Sequence, residues 1–298
     1  MQFTFFKKNV FPLSAVALAL SLTACGGSNE PTQPTMEVSF QGLEDLGPTA
    51  VYEGWLMVNG APVSSGRFTV DASAKASQTS FKVSQAAVDL ATAFILTIEP
   101  AVNDDPQPSD QHLIAGNFDA ARSAALATNH AAALATDFSG AAGSFILATP
   151  TSAATSDDDQ GIWFLKMVNG APQVGLTLPT LPKSWVYEGW VVVNGKPVST
   201  GRFTDPAKAD RDGNGPAAGP LGGPPFPGSD FINPALKLPG GAAVISVEPE
   251  PDNSPAPFLL KPLINTAIPN AVGPTNSHPL TNRGAAVLPT GTVKLLNK

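Results

Sequence analysis

Val51–Thr69 reads VYEGWLMVNGAPVSSGRFT, and Val186–Thr204 reads VYEGWVVVNGKPVSTGRFT. Fifteen of the nineteen positions agree without a gap, so this part of the chain is written twice. Within each copy the hydrophobic period is two, the period of a strand. Val51, Glu53, Trp55 and Met57 share one face, and Tyr52, Leu56 and Val58 share the other, so both faces carry bulk. Asn59-Gly60 and Asn194-Gly195 are type I′ hairpin signals, because both central residues of that turn need positive φ. Pro62 and Pro197 follow closely, which requires the returning strand to be a sheet edge at that point.

A second matched pair lies downstream. Ile95–Pro108 (ILTIEPAVNDDPQP) parallels Val244–Pro257 (VISVEPEPDNSPAP), each a buried strand stopped by Glu-Pro. The offset between copies grows from 135 to 149, which places an insertion in Asp205–Gly241, a stretch dense in Pro and Gly. Short strands are also expected at Glu37–Phe40, Ser144–Ala148, Ile162–Met167 and Thr292–Leu296. Ala120–Thr136, rich in alanine, is helix-permissive. The expectation is an all-β chain of two tandem β-sandwich-like domains, residues 36–150 and 161–298, joined by an acidic linker at 151–160.

The N-terminus reads as an export leader. Lys7 and Lys8 precede a short apolar run from Val10 to Leu20, and small residues close the segment. Leu22-Thr23-Ala24-Cys25 resembles the lipobox of bacterial lipoproteins, a family in which the cysteine is acylated and the bond before it is cut. The resemblance implies that residues 1–24 are a lipoprotein signal peptide. It further implies that Cys25, the one cysteine of the chain, is the lipid attachment point, and residues 25–35 then read as a flexible tether. Gly26 follows the cysteine. In Gram-negative lipoproteins an aspartate there retains the protein at the inner membrane, so glycine favours the outer membrane, facing the periplasm or the cell surface.

Composition excludes several functions. The chain carries 17 Lys+Arg against 24 Asp+Glu, and loss of the leader removes two lysines and no acid, leaving a net charge of −9. Such a chain repels nucleic acid. A single cysteine excludes a disulfide scaffold, and three histidines leave little for a His-rich metal site.

The repeat itself resembles the extracytoplasmic domain of anti-sigma-K-factor proteins (RskA type). In that family a strand carries a Trp before a short turn, and a later strand ends in Glu-Pro ahead of a Pro-rich loop. The matching residues here are Tyr52, Trp55, Gly60, Gly66, Phe68, Glu99, Pro100, Pro106 and Pro108. In the second copy they are Tyr187, Trp190, Gly195, Gly201, Phe203, Glu248, Pro249, Pro255 and Pro257. The resemblance implies fold-bearing roles for these residues and an extracytoplasmic, non-enzymatic binding or envelope-sensing role. An anti-sigma factor also needs a cytoplasmic helical domain and a spanning helix. No apolar run after residue 25 is long enough to span, so direct contact with a cytoplasmic sigma factor is not expected. The partners expected are the bilayer, through Cys25, and an envelope protein. A structural or adhesive surface protein is the alternative, and a hydrolase the third reading.

Candidate chemistry is sparse. Asp210, Asp212 and Asn214, followed by Gly215, match the first half of a calcium loop, but Leu221 stands where its last ligand, a Glu, belongs. Asp157-Asp158-Asp159 and Asp104-Asp105 are acidic runs that suit a solvated linker and a turn. Glu53 with Glu99, and Glu188 with Glu248, are carboxylate pairs on paper; their recurrence in both copies suits structural roles at strand ends. His130 and His278 lie at nearly the second offset, which suggests equivalent positions. Trp55, Trp185 and Trp190 suit core packing over a carbohydrate platform. No cofactor beyond the lipid is expected.

Overall fold

The repeated hairpin folds as its pattern requires, and the rest of the chain arranges around it. The structure is a computed structural model that describes residues 33–251 and 254–297. From residue 33 onward the chain forms one compact unit. The first copy supplies β1 (Thr35–Gln41), β2 (Ala50–Val58), β3 (Ala61–Phe68), β4 (Ser80–Lys82), α1 (Gln85–Leu90), β5 (Ala91–Pro100), β6 (His112–Asn117), β7 (Ser123–Leu126) and β8 (Ala142–Leu147). The second supplies β9 (Gly161–Trp163), β10 (Leu165–Val168), β11 (Ala171–Val174), β12 (Leu176–Thr177), β13 (Trp185–Val193), β14 (Lys196–Phe203), β15 (Gly228–Asp230), β16 (Ala242–Pro249), β17 (Leu263–Asn265) and β18 (Ser277–Asn282). It ends with α2 (Gly284–Val287) and β19 (Thr290–Leu296). The fold is all-β and sandwich-like.

The strand order shows how the copies are joined. One sheet runs β3-β2-β5-β6 and a second β4-β1-β19-β7. The two connect where Ala115 and Ala127 exchange both backbone hydrogen bonds, at 3.1 and 3.0 Å. The second copy follows the same path, β14-β13-β16-β17-β18-β8-β9-β15. Position by position, β8 occupies in the second body the seat that β19 occupies in the first. The last strand of each copy has been exchanged. β19 lies between β1 and β7, and β8 between β9 and β18. Gly143 and Gly291 match, as do Phe145 and Val293, and Leu147 and Leu295. Each glycine faces a leucine, Leu280 or Leu126, across the ladder. The boundaries at 150 and 161 therefore mark sequence repeats, while hydrogen bonding runs across them.

Both faces of the repeated strand are used, for different purposes. Tyr52 and Leu56, like Tyr187 and Val191, are buried in a core that is continuous through both copies. On the opposite face Trp55 packs with Ile95, Ala115 and Ala133 in a smaller cluster. Tyr52 also donates its hydroxyl to the Glu44 carbonyl at 3.0 Å. Tyr187 donates to the Pro179 carbonyl at 2.6 Å, also eight residues upstream. These are paired tyrosine corners, which pin the entering chain to the strand.

The recurrent glycines are required by a bulge. Gly54 pairs with Gly66 but Trp55 with Ser64, so Ser65 is extra; in the second copy Thr200 is extra. A Cβ on Gly54 would lie 2.7 Å from the Phe94 ring, and one on Gly189 would lie 2.7 Å from the Phe164 ring. Gly66 and Gly201 have φ of +127° and +117°, open to glycine alone. Asn59 and Asn194 have φ of 52°, as the I′ turn demands, and Pro62 and Pro197 sit on edge strands.

Three expectations are corrected. Ala120–Thr136 contains β7, a bridge at Ala127 and turns, with no helix. The strand lies so close to β6 that a Cβ on Gly116 would sit 2.1 Å from the Ala125 carbonyl oxygen, so glycine is required there. Ile162–Met167 is divided between β9 and β10. Between β10 and β11 a third hairpin turns on Asn169-Gly170, in a stretch MVNGAP identical to residues 57–62. The tether ends in order, because Thr35 already pairs with Leu296 and Lys82.

The exchange has a direct test. A protease site placed at the exposed residues 153–156 and cut after folding leaves two pieces that each hold a strand of the other. Size-exclusion chromatography is expected to return one species until denaturant is added; separation without denaturant would show that the copies close on themselves.

Candidate functional site

Of the sequence-predicted carboxylates, Glu99 and Glu248 lie at the ends of β5 and β16, each built into a hydrogen-bonded chain, whereas Glu53 and Glu188, expected at strand ends, lie within β2 and β13. In the first copy Trp55 Nε1–H donates to Thr97 Oγ1 at 2.9 Å, and the Thr97 hydroxyl donates to Glu99 Oε1. The same oxygen accepts the Ser109 amide at 2.9 Å. In the second copy Trp190 Nε1–H donates to Ser246 Oγ at 2.8 Å, and Ser246 donates to Glu248 Oε1. The Phe258 amide reaches both Glu248 oxygens, at 2.9 and 3.2 Å. Glu99 and Glu248 are buried. Each carboxylate ties the far end of a Pro-rich loop to the strand it left, an arrangement that offsets the cost of burying a charge.

Glu53 and Glu188 sit one strand away. Ser64 donates to Glu53 Oε1, and Ser199 donates to Glu188 Oε1 at 2.5 Å. Glu53 Oε2 lies 3.5 Å from Arg67 Nε, and Arg67 also reaches Asp104 at 3.5 Å. Burial pushes the Glu53 carboxyl above its ordinary range, against the pull of Ser64 and Arg67. The arrangement clamps the bulged edge strand to the centre of the sheet.

The two Glu-Pro strand ends converge on one cleft of about 270 Å³, lined from both copies. Glu44, Leu46, Ala50 and Pro100 form one wall, and Pro249, Pro251 and Phe258 the other. Gln111 Nε2–H crosses the junction to the Glu250 carbonyl at 2.6 Å, and Ser184 donates to the Asp110 carbonyl. Burial raises the Glu44 carboxyl, while Lys261 and the Leu259 amide pull it down. A cleft that pairs apolar walls with a few polar groups has the make-up of a small binding site.

Other candidates have internal partners. Asp210 faces inward: its Oδ2 accepts the Gly228 amide and its Oδ1 the Asp212 amide, both at 2.9 Å. Asp212 is exposed, and the Asn214 backbone carbonyl accepts the Asp230 amide at 3.1 Å. Among the described residues no three His, Cys, Asp or Glu side chains form a metal group. Asp104 is held by Arg67, and Asp105 accepts the Gln107 amide at 2.9 Å. His130 and His278 do not occupy equivalent places. His130 Nδ1 accepts the Ala132 amide in a loop, whereas His278 lies on β18 beside Phe145 with Nε2 2.8 Å from the Ala271 carbonyl. Trp185 is buried against Phe258, so the tryptophans form no exposed platform. Cys25 with Leu22, Thr23 and Ala24 lies outside the described residues.

One buried network carried no sequence signal. Asp230, fully buried, accepts Trp163 Nε1–H at 2.8 Å, the Thr151 amide at 2.9 Å and the Thr151 hydroxyl at 2.5 Å. Thr149 in turn donates its hydroxyl to Asp157 at 2.8 Å and its amide to Asp158 at 3.1 Å. Residues 151–160 are thereby fastened to the body at both ends. The stretch expected as a loop at 205–241 contributes a buried strand, β15. The clue would have been a lone Asp beside small residues in Gly228-Ser229-Asp230, which reads equally well as a turn.

No family model, no curated protein and no solved structure matches the chain.

Two predictions come from these networks. Thr97→Val strands the Trp55 indole N–H, and Ser246→Ala strands that of Trp190. Each is expected to lower unfolding stability by about 2–3 kcal/mol in urea, the scale of a buried group left unsatisfied; loss below about 0.5 kcal/mol would show that the chain contributes little. For Asp210, burial raises the pKa from 3.8 to about 6, despite the amides of Gly228 and Asp212. Between those values the folded chain holds the extra proton, so this group adds stability as the pH falls from about 6 towards 3.8. Thermal melts of Asp210→Asn across that window are expected to lose that component of the slope.

Proposed function

We propose that this chain is an exported, lipid-anchored protein that binds a partner outside the cytoplasm, without catalysis of its own. The carrying observation is the tetrad Leu22-Thr23-Ala24-Cys25. It places the one cysteine of the chain at the end of a leader-like segment and ten residues before β1 begins at Thr35. Acyl chains on Cys25 anchor the body to a bilayer, and Gly26 favours the outer membrane, facing the periplasm or the cell surface. The binding role is supported by the cleft at the Glu-Pro strand ends, where a partner would touch both copies at once. The paired carboxylates that a hydrolase would need instead hold loops and an edge strand, which supports a non-enzymatic reading. An envelope-sensing or regulatory role, of the kind served by the anti-sigma-K-factor domain, is consistent with the duplicated Trp, Gly and Glu-Pro residues. A structural or adhesive role is the second reading, favoured by the acidic, Pro-rich surface.

The test combines anchor and cleft. A photo-crosslinking residue at the exposed Thr49, on the rim, is expected to capture one envelope protein in intact cells. Cys25→Ser is expected to abolish fatty-acid labelling and release the chain into the soluble fraction. A Cys25→Ser chain that stays membrane-bound and labelled would overturn the anchor, and absence of any specific adduct would overturn the cleft as the contact.

A further inference from the structure

The two copies act as internal controls for each other, and they differ sharply on one outer face. In the first body, β1 and β19 present Glu37 opposite Lys294, both exposed. The exchanged strands place the equivalent pair in the second body at Trp163 opposite Ile146, both buried. Two solvent-facing, oppositely charged residues in register in one copy are thus an aromatic–aliphatic pair in the other. Water does not reach it, because two elements with no counterpart in the first copy lie beside it. One is the β10–β11 hairpin, which brings Leu165, Met167 and Pro172; the other is the insertion, which brings Pro224 and packs Phe226 against Trp163. Ala148, Ile146, Trp163, Leu165 and Phe226 make a small core of their own, separate from the continuous core of both bodies.

These walls do not close. They leave an apolar groove of about 330 Å³ above Trp163, within the volume range of small-molecule sites at roughly 300–1,000 Å³. Its charged side chain is Asp158, and that carboxylate is engaged by the Thr149 amide and hydroxyl. The Trp163 indole N–H is already donated to Asp230. The groove therefore offers no free indole donor, and its one charge is the Asp158 carboxylate, which accepts from Thr149 through Oδ1 alone and would repel an anion. It offers apolar surface, with the hydroxyl of Thr155 beside Asp158. Burying apolar surface is the one large favourable term available there, about 25 cal/mol per Å².

We propose that this groove is a binding site for an uncharged small molecule with an aliphatic chain, taken up free and not from a bilayer. The chain would lie between Met167 and Pro224, with a hydroxyl-type end at Thr155. The site is distinct from the cleft at the Glu-Pro strand ends and does not depend on the anchor.

The test uses residues 26–298 with the uncharged fluorophore N-phenyl-1-naphthylamine as probe and 1-dodecanol as competitor. The expected result is one saturable site per chain, displaced by dodecanol. Met167→Glu, which brings a charge to the wall, and Ala154→Trp, which fills the groove from its exposed rim, are each expected to weaken binding at least about tenfold. Thermal unfolding reports whether each variant is folded, and Ala154→Trp decides if Met167→Glu is not. Absence of saturable binding, or binding unchanged in a folded Ala154→Trp chain, would overturn the proposal. Uptake from phosphatidylcholine vesicles without displacement by dodecanol would also overturn it, by assigning the face to a membrane surface.

Discussion

Each half of this molecule is short of one interior strand and receives it from the other half. β19 supplies the seat between β1 and β7, and β8 the seat between β9 and β18, so neither body has a complete hydrogen-bond ladder alone. An unfilled interior seat would leave two rows of backbone groups without partners and would uncover Val293 and Leu295, or Phe145 and Leu147. Burying such side chains is worth about 1.5–3 kcal/mol each. Leaving either seat empty would therefore cost several such side chains at once, and in this structure each half depends on the other to fill it. Everything between them inherits that constraint. The cleft keeps its shape because both of its walls stand on strands tied by the same exchange.

Duplication also shows which residues the fold cannot spare. Tyr, Trp, the bulge glycines and the Glu of Glu-Pro recur because each solves a local problem twice over. The tyrosine hydroxyl pins the entering chain, the glycines admit a neighbouring ring or a positive φ, and the glutamate holds the loop that follows its strand. Where the copies diverge, the constraint is relaxed. Phe81 packs against Gly66 in the first body, whereas Asp210 packs against Gly201 in the second and accepts backbone amides there. The Glu37–Lys294 pair against Trp163–Ile146 is the larger divergence, and it coincides with the added hairpin and insertion.

Much of this was legible in the residues. The I′ turns, the edge position of Pro62 and Pro197, and the strands ending at Glu99-Pro100 and Glu248-Pro249 all follow from local chemistry. So does the structural role of the repeated glutamates, since a function carried out twice beside the same turn is more economically a fold requirement. Less legible were features whose partners are distant along the chain. The alanine-rich stretch at 120–136 has helix-compatible composition, but pairing of Ala124 and Leu126 with β19 overrides it. The acidic run at 157–159 looks like solvated linker until Thr149 and Lys237 are found beside it. His130 and His278 share a sequence offset, yet one is in a loop and the other on a strand, because insertions and deletions on either side compensate.

By itself the amino-acid sequence determined the all-β class, the duplication and the two repeated hairpins, because these rest on side-chain period, backbone dihedral preference and identity between copies. Each of those is a property of neighbours along the chain. Only the tertiary structure decided that β8 and β19 are exchanged, that the Glu-Pro ends share one cleft, and that Asp230 holds Trp163 and Thr151. A strand's period is the same whichever sheet accepts it, so the pattern of β19 suits either seat. The two seats differ in their distant neighbours, such as Trp163 against Ile146 in one and Glu37 against Lys294 in the other.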